Sequence, residues 1–161
     1  MKYRVLGLLF LFSYGCQSES APEPASKERV VVNKLPAMQL RAGESATVSV
    51  SVDVNPGYHI QANPVPFAYL IPAELKLLDT AELTMGAPIY PAGKPYTLEG
   101  STDTLIVYDG TVEIQVPVSV SASASAGHTE VSGTIRYQSC DDRMCFPPTS
   151  KPVQVAIEVV E

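Results

Sequence analysis

Two cysteines near the end of the chain are the residues best suited to chemistry. Cys140 and Cys145 lie in the segment YQSCDDRMCFPP, residues 137–148, with four residues between them. In an exported protein such a pair forms either a structural disulfide or one that opens and closes by thiol–disulfide exchange. A closed loop of about six residues contributes only about 2 kcal/mol in the chain-entropy model. The small loop therefore favours a redox role, and a structural disulfide and a metal site remain as alternatives.

The residues beside the two cysteines act on the reactivity of the sulfurs. Asp141 and Asp142 disfavour a neighbouring thiolate and are expected to raise the pKa of the cysteines, whereas Arg143 acts in the opposite direction. The net sign stays open, and a solvated loop tip is the alternative interpretation of these three charges. Phe146 and Pro147, with a further proline, are expected to stiffen the chain after the second cysteine.

The rest of the chain must position this pair, and it alternates apolar and polar residues with a period of two. The alternation occupies residues 46–54, 112–120, 131–138 and 153–159. It is typical of β-strands with one buried face and one exposed face. Pro117 within the second segment predicts an edge strand or a bulge.

Turn residues separate the predicted strands, and they occur at Ala42-Gly43, Asn55-Pro56-Gly57, Asp109-Gly110 and Ala126-Gly127. The pair Asp109-Gly110 lies between two strand-like segments and predicts a β-hairpin. At most Ala73–Leu78 could form a single helical turn. About seven to nine strands with regular turns predict an all-β fold, an antiparallel β-sandwich of immunoglobulin-like architecture.

Three segments together resemble the N-terminal periplasmic domain of the DsbD family of thiol:disulfide interchange proteins. They are the cysteine segment, GYHIQAN at 57–63 and APIYP at 87–91. The resemblance covers residues 29–160 and implies an immunoglobulin-like sandwich whose cysteine pair passes reducing equivalents to or from thioredoxin-like partners. Full-length members continue into a membrane domain and a thioredoxin-like domain, whereas this chain stops at Glu161. A membrane reductant pathway on a separate chain is therefore expected to supply the electrons.

Several side chains are candidates to surround or cover the sulfurs. The resemblance implies that a loop near Ile89–Lys94 shields the pair, and an ordinary loop with a packed tyrosine is the alternative. If Phe146 and such a lid cover Cys145, that sulfur is the poorer attacker, but the sequence does not decide between the two cysteines. The full set of candidates is Tyr58, His59, Tyr90, Tyr137, Asp141, Asp142, Phe146 and Pro147.

The first residues have the three parts of a secretory signal. Lys2 and Arg4 precede the apolar segment VLGLLFLF, and small residues lead up to Cys16. Residues 1–15 are predicted to be a signal peptide, since the apolar segment is too short to span a bilayer. The pattern resembles a bacterial lipoprotein signal, which predicts lipidation of Cys16 and leaves an even number of other cysteines. Ordinary signal cleavage is the alternative.

Residues 16–28 are rich in Ser, Glu, Ala and Pro, which predicts a disordered linker. Residues 29–161 are predicted to form one β-sandwich domain. An exported protein with lipid on Cys16 would be attached to the bacterial envelope and face the periplasm. Gln17 after the lipidated residue slightly favours the outer membrane.

Composition excludes several classes of function. The chain has 11 Lys+Arg against 17 Asp+Glu, a net charge of −6, so it lacks the basic patch that nucleic-acid binding requires. Its three cysteines are too few for a four-cysteine zinc site. His59 and His128 are the only histidines, and with the methionines they make a copper site conceivable, but no ligand spacing supports one. No cofactor or metal is expected, and no serine lies in a hydrolase motif.

Three hypotheses follow from the sequence. The first is a lipid-anchored thiol–disulfide exchange module that uses Cys140 and Cys145. The second is a non-catalytic β-sandwich adaptor with a structural disulfide. The third is a copper-handling lipoprotein.

Overall fold

The computed structural model describes residues 28–161. The predicted signal peptide, Cys16 and the predicted linker up to residue 27 lie outside the described residues. In the described part, no helix is long and apolar enough to cross a membrane. The strands are β1 (Val30–Val32), β2 (Met38–Arg41), β3 (Ser45–Val54), β4 (His59–Gln61), β5 (Glu74–Leu77), β6 (Leu83–Met85), β7 (Lys94–Thr97), β8 (Thr104–Tyr108), β9 (Gly110–Val120), β10 (Gly127–Tyr137), β11 (Ser139–Cys140) and β12 (Thr149–Val160).

These strands form three four-stranded sheets across residues 28–161. Sheet A has the order β1-β3-β9-β6, sheet B the order β2-β12-β10-β5, and sheet C the order β11-β4-β8-β7. The long ladders join β3 to β9 and β10 to β12, and both are antiparallel. Among the strands of the described residues, only β2 pairs in parallel, with β12.

The core lies between sheets A and B and consists of the alternating apolar residues that the sequence displays. Every second residue of β3 from Val48 to Val54 is buried, as is every second residue of β9 from Val112 to Val120. Sheet B contributes Val131, Ile135 and the odd-numbered residues 153–159 to the same cluster. Burial of each such side chain contributes about 1.5–3 kcal/mol. The predicted all-β, immunoglobulin-like antiparallel sandwich is confirmed.

Two local features differ from what the sequence suggested. Asp109-Gly110 does not close a hairpin, because β8 belongs to sheet C and β9 to sheet A. Gly110 has a φ of 61°, a left-handed conformation that suits glycine and lets the chain change sheets within one residue. Residues Glu74–Leu77 form strand β5 on β10 instead of a helical turn, with Leu75 buried and its neighbours exposed.

Pro117 was predicted to mark an edge strand or a bulge, but it lies in the interior strand β9, whose register with β3 is continuous. Its carbonyl oxygen accepts a hydrogen bond from the Gly86 N–H, 2.8 Å away, so its ring nitrogen faces the side of β6. Strand β6 ends at Met85, opposite Val118. The missing N–H of Pro117 therefore falls where the neighbouring ladder stops, and no strand hydrogen bond is lost.

Sheet C lies at one end of the sandwich because its strands continue the long ones. β4 follows β3 after the Asn55–Gly57 turn, and β11 follows β10 after a single residue, Gln138. This end holds Cys140.

Candidate redox site

Cys140 and Cys145 form a disulfide across a tight hairpin. The two residues face each other as an antiparallel bridge, with their Cα atoms 3.9 Å apart. The Phe146 N–H donates to the Ser139 carbonyl oxygen over 2.8 Å, and the Asp141 N–H donates to the Met144 carbonyl oxygen over 3.0 Å. These backbone bonds close the four-residue loop 141–144 and hold the sulfurs together.

The Asp141 carboxylate organises this loop. Its Oδ1 accepts hydrogen bonds from the backbone N–H groups of Arg143, at 2.9 Å, and Met144, at 2.8 Å. These bonds lower the pKa of Asp141, first through the Arg143 N–H and then through the Met144 N–H. The Asp141 carboxylate is therefore ionised at neutral pH, in the residue that directly follows Cys140. Asp142 and Arg143 are exposed on the loop, with 4.0 Å between their charged groups.

The two sulfur-bearing residues differ in exposure. Cys140 is fully buried, whereas Cys145 is partly exposed and follows Met144, which is 54% exposed. The Phe146 ring packs against Arg29, whose guanidinium carbon lies 3.6 Å from the ring centroid, and meets the edge of Tyr58 at 6.2 Å. These contacts direct Phe146 toward the start of the domain. Cys145 is thus the more accessible of the two cysteines.

Gln61 is a residue of this site that the sequence analysis did not single out. Its side-chain Nε2 lies 3.4 Å from the Sγ of Cys140 and 3.9 Å from the Sγ of Cys145. Gln61 is fully buried, and its backbone is fixed by hydrogen bonds with Gln138 and Ala73. A signal for it exists in the sequence: Gln61 and His59 share a face of one short strand in the GYHIQAN segment. The partner of that strand could not be known from the sequence alone.

His59 lies directly opposite Cys140 in the ladder between β4 and β11. Only 5% of it is exposed, and its ring centroid lies 4.1 Å from that of Tyr96. Burial lowers the pKa of His59, because water is not available to solvate the imidazolium, and the charges of Asp141 and Asp109 oppose this effect. His59 therefore borders the disulfide as a neutral side chain at neutral pH.

The predicted tyrosines and Pro147 have different surroundings. Tyr58 contacts Phe146, whereas Tyr137 is buried in the main core, where desolvation raises its pKa. The Tyr90 hydroxyl accepts a hydrogen bond from the Leu75 N–H over 2.9 Å, which ties it to β5. Its described contacts do not support a cover over the sulfurs. Pro147 is exposed after the hairpin.

Another segment approaches the cysteine loop. The Glu99 backbone N–H donates to the backbone carbonyl oxygen of Asp142 over 3.3 Å, and Tyr96 on β7 packs against His59. The residues that lie beside the cysteine loop are therefore Tyr96 and Glu99, and both follow the predicted lid at Ile89–Lys94.

Buried polar groups concentrate around the disulfide. In the described part of the chain, the only buried polar residues are His59, Gln61 and Ser139, all on β4 or β11. Of the four buried side-chain atoms in residues 28–161 that lack a protein hydrogen-bond partner, three belong to these residues, namely His59 Nε2, Gln61 Oε1 and Ser139 Oγ, and the fourth is Arg29 Nε. Each such group costs about 1–3 kcal/mol. Their concentration at one point is typical of a functional site, where local rules of stability are broken.

Residues 28–161 contain no convergence of three or more His, Cys, Asp or Glu side chains that could hold a metal ion.

The sequence matches the family model described as "Thiol:disulfide interchange protein DsbD, N-terminal" over residues 27–157. The chain belongs to this family. Membership and the Cys140–Cys145 disulfide together support a thiol–disulfide interchange module. No curated protein matches the sequence significantly.

Two solved structures are similar to this DsbD-family domain. The DsbD N-terminal domain of Neisseria meningitidis in the reduced form is 17% identical, with 73% of this chain and 82% of that chain covered and a TM-score of 0.46. The N-terminal periplasmic domain of ScsB from Proteus mirabilis is 12% identical, with 78% of this chain and 44% of that chain covered and a TM-score of 0.47. Family membership rests on the sequence match and not on these likenesses.

Proposed function

We propose that this protein exchanges its Cys140–Cys145 disulfide with a thioredoxin-like partner that presents a Cys-x-x-Cys pair. The observation that carries the proposal is the unequal burial of the cysteines in a loop shaped by backbone hydrogen bonds. An attacking thiolate needs access to one sulfur, and the other sulfur must leave. Cys145 supplies the accessible sulfur and Cys140 the leaving one.

The surface beside Cys145 suits a docking partner. Met144 projects an adaptable apolar side chain at the tip of the hairpin, and Cys145 follows it directly. Asp142 and Arg143 add charges of both signs on the same loop. A partner that covers Met144 brings its own cysteine to the exposed side of the disulfide.

The proposed location is the periplasmic side of the bacterial envelope. A resemblance of residues 1–16 to a lipoprotein signal supports export and a lipid on Cys16, and Gln17 favours the outer membrane. The similar N-terminal domain of ScsB is described as periplasmic. Labelling of cells with a radioactive fatty acid tests this part, and we expect label on the wild type and none on Cys16→Ser.

The experiment for exchange compares two single-cysteine variants. Reduced Cys140→Ser and Cys145→Ser are mixed with a thioredoxin that keeps only the first cysteine of its Cys-x-x-Cys pair, activated with Ellman's reagent. We expect Cys140→Ser to form a covalent complex at least about tenfold faster, because burial withholds the Cys140 sulfur from a bulky partner. A non-reducing gel with time points measures the rates.

The variant that lacks both cysteines is the control for non-specific bands. If neither single variant forms the complex, the exchange function is contradicted and the adaptor hypothesis takes precedence. If Cys145→Ser reacts faster, the assignment of the two sulfurs is reversed.

A further inference from the structure

Gln61 is the one polar side chain within hydrogen-bonding distance of both sulfurs among the described residues. Its Nε2 lies 3.4 Å from the Cys140 Sγ, within the range of a hydrogen bond to sulfur, and 3.9 Å from the Cys145 Sγ. The Gln61 backbone N–H donates to the Gln138 carbonyl oxygen, and the Gln61 carbonyl oxygen accepts from the Ala73 N–H. The amide is therefore fixed on the face of β4 that carries the disulfide.

The Gln61 amide has no evident structural purpose. Its Oε1 is buried without a protein partner, which costs stability. A methionine or leucine of similar volume would fill the same space with no unpaired polar group. A buried amide kept under that penalty, with its donor end on two sulfurs, indicates a role in the chemistry of those sulfurs.

We propose that Gln61 is a catalytic residue of disulfide exchange, whose amide N–H groups stabilise the thiolate of Cys140 when the disulfide opens. This inference rests on the proposed function. Cys140 is fully buried, so water does not solvate its sulfur when it gains charge. Without a donor, burial would disfavour a thiolate strongly.

A partner thiolate attacks the Cys145 Sγ and forms a mixed disulfide, the Cys140–Cys145 bond breaks, and its electron pair stays on Cys140. The second partner thiolate then attacks the partner sulfur of the mixed disulfide and releases the Cys145 thiolate. Two electrons pass from the partner dithiol to the pair. The two protons that the partner thiols lose to solvent equal those that the two new thiolates take up.

Among the side chains of the described residues, only Gln61 hydrogen-bonds the two sulfurs. His59 lies opposite Cys140, but its ring packs against Tyr96 and makes no hydrogen bond to either sulfur. The Asp141 carboxylate is negative and opposes a thiolate. A hydrogen bond to an ionised acceptor is roughly twice as strong as one between neutral groups. The Gln61 amide is thus the group on this face that favours departure of Cys140.

The experiment measures the chemistry of Cys140 in Gln61→Met, which keeps the volume and removes the donor. Reduction of the oxidised protein by dithiothreitol is followed from pH 6 to 9, and the pH profile of Cys140 alkylation is measured in the reduced Cys145→Ser background. We expect reduction at neutral pH to slow about tenfold or more, and the alkylation profile to move to higher pH. Gln154→Met is the matched control, because Gln154 is exposed in the middle of β12 and has no contact with the sulfurs or with Gln61. It should stay within about twofold of wild type, as expected for a side chain that does not touch the sulfurs.

Gln61→Glu is a second variant that keeps the shape of the side chain and, once its carboxyl ionises, has acceptors and no donor. We expect its reduction to slow further as the carboxyl ionises. Wild-type rates and an unchanged alkylation profile in a folded Gln61→Met or Gln61→Glu would overturn the role of Gln61 and leave the proposed function intact. A wild-type disulfide that dithiothreitol opens only after unfolding would overturn both.

Discussion

The interior between sheets A and B and the interior around Cys140 follow different rules. The first is built of aliphatic residues that alternate along long ladders, such as Val50 and Ile114, which face each other in the register of β3 and β9. The second holds His59, Gln61 and Ser139 on two short strands, with polar atoms left unpaired. Apolar burial in the first region stabilises the fold, and this stability offsets the cost of the unpaired polar atoms around the two sulfurs in the second region.

The connection between the regions explains how the short strands hold their geometry. β4 and β11 pair over only two residues, too few to be stable alone. Each continues a long strand, β3 or β10, whose ladder fixes where the short strand begins. The cysteine hairpin is therefore positioned by the sandwich, although it contributes little to the sandwich in return.

The largest expected effect comes from damage to the aliphatic region. Ile114→Ala should lower the free energy of unfolding by about 2–5 kcal/mol, because it removes buried methyl groups and leaves a cavity. The rate at which Cys145 is alkylated in the reduced, folded protein should not change. Urea unfolding and alkylation kinetics measure the two quantities.

Ile89→Ala is the control, since Ile89 is 55% exposed and its loss should change stability by less than about 0.5 kcal/mol. If Ile114→Ala also alters Cys145 alkylation in the folded protein, the two regions are coupled and the comparison fails.

A smaller effect is expected from removal of the disulfide. The double variant Cys140→Ser, Cys145→Ser should fold and lose about 2 kcal/mol or less, because the bond closes only a short loop. Urea unfolding of the variant, and of the wild type with and without reductant, checks this value. A double variant that does not fold under native conditions would show that the disulfide is structural.

The sequence predicted the aliphatic region well, and for a clear physical reason. Alternation of buried and exposed residues is a local property of each strand, and segments such as 46–54 and 112–120 display it in full. The predictions that depended on pairing were the ones that failed. Asp109-Gly110 has hairpin chemistry, yet the strands on either side belong to different sheets.

The redox site was predicted only in part. The cysteines and Asp141 are close in sequence, so their contacts follow from spacing. The contact of Gln61 with Cys140 joins residues 79 positions apart, and its geometry depends on the register of β4 against β11. Tyr90 illustrates the converse, because the family resemblance implied a lid at this point of the chain, whereas the Tyr90 hydroxyl accepts a hydrogen bond from the Leu75 N–H.

The smallest effect is a pH dependence that belongs to the polar region alone. The folded-state pKa of His59 is lowered, first by burial, with the charges of Asp141 and Asp109 in opposition. As the pH falls below about 6.5, the usual histidine value, the unfolded chain gains a proton at this residue that the folded protein resists. Stability should therefore fall from pH 7.5 to pH 5 in the wild type and fall less in His59→Gln. Urea unfolding at each pH measures the difference.

The window from pH 7.5 to pH 5 separates His59 from Asp141. The pKa of Asp141 is lowered in the fold, so its contribution is present above about 3.9, the unfolded value, and is lost only as the pH falls through the folded one. His128→Gln removes a histidine from the exposed end of β10 and is the matched control, which should keep the wild-type fall in stability. Equal pH slopes in the wild type and His59→Gln would mean that His59 is protonated as easily in the fold as in the unfolded chain. Burial beside Tyr96 would then not hold the ring neutral, and the polar region would be open to water where the aliphatic region is not.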